Sequence, residues 1–386
     1  MRKICLLGAS GSIGQQTLDV IYHHLDDFDL VAFSVGHRIS KINSILKRFP
    51  HVKSICVQEE SKIDNLRKKY PSIKFFCGDE GLIQLIDNSE ADMVVNSLVG
   101  FVGLKPTLHT LEKDLILCLA NKESLVVGGE LVNELLIHGH GKLYPIDSEH
   151  SALLKCLLVD DKNVNRLVLT ASGGAFRRLN REELKDVTAI DALKHPTWKM
   201  GPKITIDCAT MVNKAFEVIE AHYLFNYPYR KIGIKLHDES YIHSYIEYKN
   251  GTIRAEESKP DMRNPIKFAL YECKIPFDTV ASSKIEDFKK YHFHDFDIKR
   301  YPMVRYSKTV IEKKGTYGAV FNAANEVAVR YFLEGKIKFL DIEKIIDSEM
   351  KNHVNILNPT YEQLCKVDTI TREQTLRLIE RKMKNK

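Results

Sequence analysis

Short apolar runs alternate with amphipathic segments through the first 146 residues. Apolar runs of four to six residues are typical of buried strands, and apolar positions recurring every three or four residues are typical of helices. The predicted strands lie at 4–7, 30–35, 54–57, 93–95, 115–119 and 143–146, and the predicted helices at 17–21, 40–48, 62–69 and 104–111. This alternation predicts a parallel sheet with helices on both faces.

The pattern changes in the second half of the chain. Runs at 167–170, 231–236, 241–248 and 252–255 predict a second sheet, with helices at 181–193 and in a long segment from 205. The stretch 275–300 has no steady period, and from Gly318 onward the pattern is helical. We therefore expect an α/β domain at 1–146, an α+β domain at 147–274, a linker at 275–300 and a helical bundle at 301–386.

Composition narrows the class of protein. The chain has 386 residues, a net charge of +6 and eight scattered cysteines, with no Cys-x-x-Cys pair. Free thiols indicate a reducing compartment, so we predict a cytoplasmic protein. No apolar run is long enough to cross a membrane. The mild positive charge suits a phosphorylated small molecule and is poor evidence for nucleic-acid binding, so we predict neither a nucleic-acid nor a membrane partner.

A glycine-rich turn follows the first predicted strand. Gly8, Gly11 and Gly14 are spaced G-x-x-G-x-x-G between a strand and a helix. Glycines let a backbone approach a pyrophosphate, and a helix start offers it free N–H groups. An ordinary strand-to-helix turn has the same pattern. After the second strand, Arg38 stands where NAD sites usually carry an acidic residue; it favours NADP, although an exposed loop arginine accounts for it equally well.

An acidic pair follows the predicted strand 143–146. If the chain stays extended, Asp147 and Glu149 point the same way, with Ser148 beside them. Converging carboxylates repel unless a cation lies between them, and oxygen ligands suit Mg²⁺ or Mn²⁺. A solvated acidic turn is the alternative.

Four further polar stretches are candidates for ligand binding. Asn121-Lys122-Glu123 ends a strand, where open α/β sheets bind ligands, and the small-residue turn beginning at Ser172 suits a phosphate. The loop 195–202 carries the only tryptophan, Trp198, which predicts a lid or a core anchor. On the helix from 205, the side chains of Asn213, Lys214 and Glu217 share one face and form either a salt bridge or part of the acidic site.

Together these motifs resemble the 1-deoxy-D-xylulose 5-phosphate reductoisomerase family over essentially the whole chain, with the segments 260–263 and 322–326 in addition. The resemblance implies a homodimer with an N-terminal Rossmann-like NADPH-binding domain, a central catalytic domain and a C-terminal helical bundle. It implies isomerisation and reduction of 1-deoxy-D-xylulose 5-phosphate to 2-C-methyl-D-erythritol 4-phosphate in isoprenoid synthesis. It also implies inhibition by phosphonate hydroxamates of the fosmidomycin type.

The resemblance assigns roles by position. It implies a divalent metal, Mg²⁺ or Mn²⁺ with Co²⁺ as an option, on Asp147, Glu149 and Glu217, and a catalytic set of these three with Lys122 and His195. The NADPH residues are Ser10, Gly11, Ser12, Ile13, Gly36, His37, Arg38, Asn121, Glu123 and Gly201. The substrate residues are Lys122, Ser148, Ser172, His195, Trp198, Cys208, Asn213 and Lys214, with Trp198 on a closing flap.

Three stretches depart from the family pattern. Cys208 replaces a phosphate-binding serine, and the stretches 237–240 and 255–258 differ on the second predicted sheet. Two other classes of protein are the alternatives to this family. A dehydrogenase without rearrangement would lack the three metal-binding carboxylates, and a nucleotide-sensing protein would need neither the flap nor those carboxylates.

Overall fold

The computed structural model describes residues 1–198, 200–274 and 290–384, which divide into two compact units. The first unit contains Met1–Ser124, Leu131–Asp147 and Met262–Lys274. The second contains Leu125–Glu130, Ser148–Asp261 and the described residues from 290 onward. The sequence predicted three domains and a linker; the division of the second unit into a catalytic and a helical domain stays a prediction.

A seven-stranded parallel sheet forms the centre of the first unit, in the order β4-β3-β2-β1-β5-β6-β7. The strands are β1 (Arg2–Leu7), β2 (Phe28–Gly36), β3 (Ser54–Val57), β4 (Lys74–Cys77), β5 (Met93–Asn96), β6 (Ile116–Leu119) and β7 (Lys142–Pro145). The strand order reverses between β1 and β5, which is the position where open parallel sheets bind ligands at their carboxyl edge.

Helices cover both faces of this sheet, as the alternating pattern predicted. They are α1 (Ser12–Tyr22), α2 (Ile42–Arg48), α3 (Ile63–Lys69), α4 (Gly78–Asn88), α5 (Leu104–Glu112) and α6 (Lys122–Ile137). Alternate residues of β1 enter different cores, because side chains alternate along a strand. Ile4 and Leu6 pack in one core, whereas Cys5 and Leu7 pack in the other.

The second unit is built on a five-stranded mixed sheet, in the order β11-β10-β8-β9-β12. Its strands are β8 (Val164–Ala171), β9 (Ile232–His237), β10 (Ile242–Tyr248), β11 (Ile253–Glu257) and β12 (Phe293–Asp295). Strands β8 and β9 are parallel, and the other neighbours are antiparallel.

The predicted linker at 275–300 is wrong where the structure describes it. Strand β12 pairs with β9, and the ring of Phe293 stacks on that of His237 at 4.5 Å. One aromatic residue in a polar stretch gives no periodic signal, so only the pairing reveals the strand. The rest of this prediction, 275–289, lies outside the described residues.

Four helices surround the second sheet: α7 (Ser148–Val159), α8 (Ala189–Ala192), α9 (Pro202–Thr210) and α10 (Val212–Phe225). Two predictions fail here. The helix predicted over 181–193 is reduced to the short α8. Thr188 is its N-cap, with a side chain that accepts a hydrogen bond from the Asp191 N–H, so the helix begins only at Ala189. The long helix from 205 is split, because Met211 adopts a left-handed conformation with φ of 61° between α9 and α10.

The chain then returns to the first unit through α11 (Arg263–Leu270). This helix buries Ile266, Ala269 and Leu270 in the same core as β1 and β2. The sequence placed these residues in the central domain, because the helix is separated in sequence from the sheet it covers. The helix belongs to the first unit and not to the predicted central domain, because its apolar face completes the core of the first unit.

The end of the chain is helical, as predicted. It forms α12 (Arg305–Lys313), α13 (Tyr317–Leu333), α14 (Phe339–Asn352) and α15 (Tyr361–Lys384), and α13 packs against both α14 and α15. The predicted stop at Gly335 is present, with φ of 71° two residues after α13. Among the described residues, no helix combines the length and the apolar character needed to span a membrane.

Candidate active site

The glycine turn of the first unit is closely packed. Gly8 has φ of 84°, and a Cβ on Gly14 would lie 2.2 Å from the Gly8 carbonyl oxygen. Both positions therefore require glycine. The turn carries Ser10, Gly11, Ser12 and Ile13 to the start of α1, where the N-cap residue Gly11 offers no side-chain cap. The first N–H groups of α1 are thus available to an anion.

Arg38 lies against this turn. Its Nη1 donates to the carbonyl oxygen of Ser10 at 3.0 Å, and Gly36, with φ of 55°, turns the chain at the end of β2. The neighbouring His37 Nδ1 lies 3.3 Å from Glu59 Oε1. A guanidinium beside the glycine turn is well placed for a phosphate on the adenosine ribose.

Asn121 organises the loops at the carboxyl edge of the first sheet. Its Oδ1 accepts from the N–H of Ser124 at 3.0 Å, and its Nδ2 donates to the carbonyl oxygens of Leu98 and Gly100, both at 3.0 Å. The same amide donates to Glu123 Oε2 at 3.1 Å. Asn121 and Glu123 are both buried. Their side chains hold these loops together, and Asn121 is also the N-cap of α6, the structural role that the sequence leaves open for this stretch.

Lys122 forms an ion pair with Asp147. Lys122 Nζ lies 2.6 Å from Asp147 Oδ2, and the two side chains are only 10% and 12% exposed. Such shielding strengthens the attraction between the two charges, and it also removes water that would otherwise solvate each of them. The lysine that begins α6 after strand β6 and the aspartate that follows β7 are thereby fixed at the same edge of the sheet.

The sequence predicted that an extended chain makes the carboxylates of Asp147 and Glu149 point the same way, and this prediction is wrong. Residues 147–149 are not extended, because Ser148 and Glu149 already belong to the first turn of α7. An acidic residue in that turn is favoured by the helix dipole. The hydroxyl of Ser148 donates to Glu149 Oε2 at 2.5 Å, which orients this carboxylate.

Glu149 and Glu217 face one another in the second unit. Carboxylate oxygens of the two residues lie within 4.8 Å, and Lys214 Nζ lies 2.8 Å from Glu149 Oε1 and contacts Glu217 as well. Burial favours the neutral amine, yet the two carboxylates outweigh it and raise the pKa of Lys214 above its usual range. The carboxylates therefore require positive charge.

The predicted shared face of α10 is confirmed. Asn213 Nδ2 donates to Glu217 Oε1, four residues along the helix, and Lys214 contacts Glu217 at three residues. Glu217 is 1% exposed. Hard oxygen ligands held this close suit a divalent cation such as Mg²⁺, so the donor set fits the predicted metal.

A second buried pair, His150 and Glu220, was missed by the sequence analysis. His150 Nδ1 lies 3.3 Å from Glu220 Oε2, and His150 Nε2 lies 2.9 Å from the Glu217 carbonyl oxygen. The pair connects α7 to α10 next to the carboxylates. Glu220 lies one turn after Glu217, and this spacing is the only sequence signal for it.

The turn after β8 has an open, glycine-dependent shape. Gly173 and Gly174 have φ of 85° and 68°, and the Gly174 N–H donates to Ser172 Oγ at 3.2 Å. A Cβ on Gly174 would lie 2.7 Å from the carbonyl oxygen of Cys208. The turn therefore packs on the backbone of α9, where the Cys208 thiol is partly exposed.

His195 connects this turn to the loop that carries Trp198. Its Nδ1 accepts from the N–H groups of Trp198 at 2.9 Å and Thr197 at 3.3 Å, and its Nε2 lies 3.2 Å from Ser172 Oγ. The neutral ring must then carry its proton on Nε2 and donate to Ser172. Burial, followed by the charge of Arg177, lowers the pKa of His195 to about 4.

The loop with Trp198 is neither a core element nor a free surface segment. Trp198 is partly buried, and its ring lies 6.0 Å from that of His243 on β10. Thr197 Oγ1 and Ser240 Oγ are 3.4 Å apart. The loop ends at Gly201, the N-cap of α9, where a Cβ would meet nothing within 4 Å.

The predicted residues fall into two groups. The first unit carries the cofactor residues other than Gly201, together with Lys122 and Asp147. The second carries Gly201 and the substrate residues from Ser148 onward, including Ser172, His195, Trp198, Cys208, Asn213, Lys214 and Glu217.

Comparison with known proteins gives one family over nearly the whole chain. Residues 4–129 match the family model "1-deoxy-D-xylulose 5-phosphate reductoisomerase". Residues 143–225 and 258–374 match the models of two C-terminal domains of the same enzyme.

Named relatives and solved structures agree with these matches. The chain is 45% identical over 375 residues to 1-deoxy-D-xylulose 5-phosphate reductoisomerase of Bacillus subtilis, covering 96% of this chain and 98% of the relative. It is similar to the Zymomonas mobilis enzyme solved with NADPH, with a TM-score of 0.89, 35% identity and coverage of 98% and 99%. A reductoisomerase solved with NADPH, fosmidomycin and magnesium has a TM-score of 0.91, 30% identity and 98% coverage of each chain.

Proposed function

Because this chain belongs to the 1-deoxy-D-xylulose 5-phosphate reductoisomerase family, we propose specific roles for its own residues in the reaction of that family. The chain is an NADPH-dependent and divalent-metal-dependent enzyme that isomerises and reduces 1-deoxy-D-xylulose 5-phosphate to 2-C-methyl-D-erythritol 4-phosphate. The observation that carries the assignment of the site is the buried group of Glu149, Lys214 and Glu217.

The glycine turn and its surroundings are the proposed cofactor site. The N–H groups at the start of α1 bind the pyrophosphate, with Ser10, Gly11, Ser12 and Ile13 around it. Gly36, His37 and Arg38 lie at the ribose phosphate, and Asn121 and Glu123 hold the neighbouring loops. Gly201 is assigned by resemblance alone. When bound, NADPH supplies the hydride for the reduction.

Asp147, Glu149 and Glu217 are the proposed metal ligands. Asp147 is joined to Glu149 along the chain through Ser148, and Glu149 already faces Glu217. When bound, the cation stabilises negative charge that develops on substrate oxygens. Lys122 places positive charge beside Asp147, and Lys214 places it beside Glu149 and Glu217. Both lysines are proposed to orient substrate oxygens and to reduce the repulsion between the acidic groups.

Ser172, Cys208 and Asn213 are proposed to bind the substrate phosphate. The Ser172 oxygen accepts from His195 Nε2–H and from the Gly174 N–H, which leaves its own O–H free to donate to a phosphate oxygen. The loop with Trp198 covers the substrate, as the predicted flap would, and keeps water from the reacting carbons. Ser148 orients Glu149 from within the site.

A single assay tests this function. Protein, NADPH, Mg²⁺ and 1-deoxy-D-xylulose 5-phosphate are mixed, and the nicotinamide absorbance is followed. We expect Glu217→Gln to lower kcat by at least about a hundredfold, since an interaction with a charged group in a buried site is lost, while NADPH still binds. Near-normal turnover by Glu217→Gln with Mg²⁺ would contradict the metal assignment.

We also propose that the enzyme is a cytoplasmic homodimer. All eight cysteines are free thiols, which agrees with a reducing compartment. The homodimer rests on the family resemblance, and light scattering during gel filtration measures the mass directly. A mass of one chain at assay concentrations would contradict it.

A further inference from the structure

Two arginines hold the backbone that follows β8. Arg177 Nη1 lies 3.0 Å from the carbonyl oxygen of Asp238 and 3.5 Å from that of Ser172. Arg300 donates to the carbonyl oxygens of Phe176 and Leu179, at 3.0 Å and 2.9 Å. The loop that begins at Ser172 is therefore held by guanidinium groups at several carbonyls.

Arg177 also fits the turn sterically. A Cβ on Gly173 would lie 2.5 Å from the Cβ of Arg177, so the stem of the arginine packs directly on this glycine. Glycine adopts positive φ readily, so Gly173 and Gly174 permit the shape of the turn and their surroundings select it. The arginine is part of those surroundings.

The orientation of one peptide group follows from this contact. The C=O and N–H of a trans peptide point in opposite directions. Because the Ser172 carbonyl faces Arg177, the N–H of Gly173 points to the other side of the turn. Backbone N–H groups presented in this way by a turn with positive φ bind anions.

We propose that Arg177 is a positioning residue for phosphate recognition: it holds the turn of Ser172, Gly173 and Gly174 in the shape that presents the Ser172 hydroxyl and the turn's N–H groups to the phosphate. The proposal rests on the proposed role of this turn in binding the substrate. Arg177 itself does not need to touch the substrate.

The charge of Arg177 has a second effect, on His195. The groups around that ring are Ser172 at Nε2, the N–H groups of Thr197 and Trp198 at Nδ1, and the guanidinium of Arg177. A protonated Nδ1 would face two N–H donors and lose both bonds. The positive charge of Arg177 opposes that protonation, so it preserves the hydrogen bonds that join the loop of Trp198 to Ser172.

The contact with Asp238 involves one of the departures from the family pattern. The stretch 237–240 differs from the family pattern, and the sequence analysis placed it on the second predicted sheet. In the structure its Asp238 carbonyl accepts from Arg177, and Ser240 faces Thr197. The altered stretch thus supports both the phosphate turn and the loop of Trp198.

Three variants of the full-length enzyme test the proposal. Arg177→Met removes both the charge and the N–H donors of the guanidinium group, whereas Arg177→Lys retains the charge without the guanidinium. The control Arg178→Met removes an exposed charge one residue away. Steady-state KM and kcat, the pH profile of kcat/KM and the Kd for NADPH are measured for each.

Arg177→Met is expected to raise KM for 1-deoxy-D-xylulose 5-phosphate by roughly tenfold or more, with NADPH affinity unchanged. The acid limb of kcat/KM should move to higher pH, because removing a positive charge eases protonation of His195. Arg177→Lys should raise KM but keep the acid limb, and Arg178→Met should change neither. Wild-type KM and pH profile in Arg177→Met would overturn the proposal.

Two further measurements separate the possible failures. If Ser172→Ala leaves KM unchanged, the phosphate assignment itself is wrong. If Ser172→Ala raises KM and Arg177→Met does not, only the role of Arg177 is wrong. If circular dichroism shows that Arg177→Met does not fold, Arg177→Lys tests the proposal instead. A wild-type KM in Arg177→Lys would overturn the proposal, because it would show that the guanidinium group is not needed to hold the turn.

Discussion

Arg38 offers the sharpest test of cofactor choice among single residues. Its guanidinium bonds to the glycine turn at Ser10, beside the proposed ribose phosphate. A hydrogen bond to a charged group contributes roughly 1.5–3 kcal/mol, so Arg38→Ala should weaken NADPH about ten- to a hundredfold. NADH lacks the 2′-phosphate and should bind the variant as it binds the wild type. Titration of both cofactors measures this, and an equal loss for both would contradict the assignment.

Cys208 is the one proposed phosphate ligand that departs from the family pattern. The structure places its backbone against Gly174, and its thiol is partly exposed. A thiol is a weaker donor than a hydroxyl, so Cys208→Ser should keep or lower KM, by up to roughly tenfold.

The matched control for Cys208 is Cys365→Ser, another partly exposed thiol, on α15. Its KM should equal that of the wild type. A clear rise in KM on restoring serine at position 208 would show that the pocket is built around the thiol.

Among the elements of the first unit, the start of α1 depends strictly on one residue, Gly14. A Cβ on Gly14 would press on the Gly8 carbonyl oxygen, and backbone cannot move away cheaply. Gly14→Ala should destabilise the protein by about 1–3 kcal/mol and weaken NADPH, because the glycine turn must open. Thermal unfolding and a cofactor titration measure both effects.

Gly201→Ala is the control for the loss of stability in that variant, and only its unfolding is compared because Gly201 is itself a proposed NADPH residue. It stands at the N-cap of α9 with φ of −65° and nothing within 4 Å of a Cβ. Its unfolding free energy should change by less than about 0.5 kcal/mol. An equal loss of stability in both variants would show that packing at Gly14 is not the cause.

Elements with a strong local signal were predictable from the sequence. Strand β3 occupies the predicted Ser54–Val57. The spacing Thr-x-x-Gln at Thr360 and at Thr371 predicts two capping boxes, and the one formed by Thr360 and Gln363 is present, with bonds of 2.9 Å and 3.3 Å. The capping box predicted at Thr371 is wrong, because that residue lies buried inside α15. A local pattern cannot distinguish a cap from a helix interior when the apolar face continues on both sides.

Contacts within one helix were predictable from the sequence, whereas contacts between helices were not. The shared face of α10 followed from helical spacing alone, so the contact of Lys214 with Glu217 was predicted. The pair of His150 and Glu220 was not, because it depends on how α7 packs on α10. Strand β4 and helix α4 were also missed, since Phe75 and Phe76 are too few apolar residues to reveal a strand.

At the scale of the whole molecule, the first unit is discontinuous in sequence. Helix α11 supplies Ile266, Ala269 and Leu270 to its core, and Arg263 Nη2 lies 2.8 Å from Asp19 Oδ2 on α1. Burying one Leu or Ile side chain contributes roughly 1.5–3 kcal/mol. A fragment of residues 1–147 should therefore expose apolar surface and unfold more easily than the same fragment joined by a flexible linker to residues 259–274.

Dye binding and urea unfolding of the two fragments measure this difference. In a matched control, the joined fragment carries Ile266→Ser and Leu270→Ser, which removes the apolar face and keeps the length. It should behave like residues 1–147 alone. Equal stability of all three fragments would show that α11 is dispensable to the core.

The late position of α11 also affects the order of events during protein synthesis. After β7 has left the ribosome, Ser148–Asp261 must be translated before the residues that complete the first core appear. At translation rates of about 5–20 residues per second, this delay is on the order of ten seconds. During that interval the nascent sheet carries an uncovered apolar face, so the chain should recruit a chaperone while it is still attached to the ribosome.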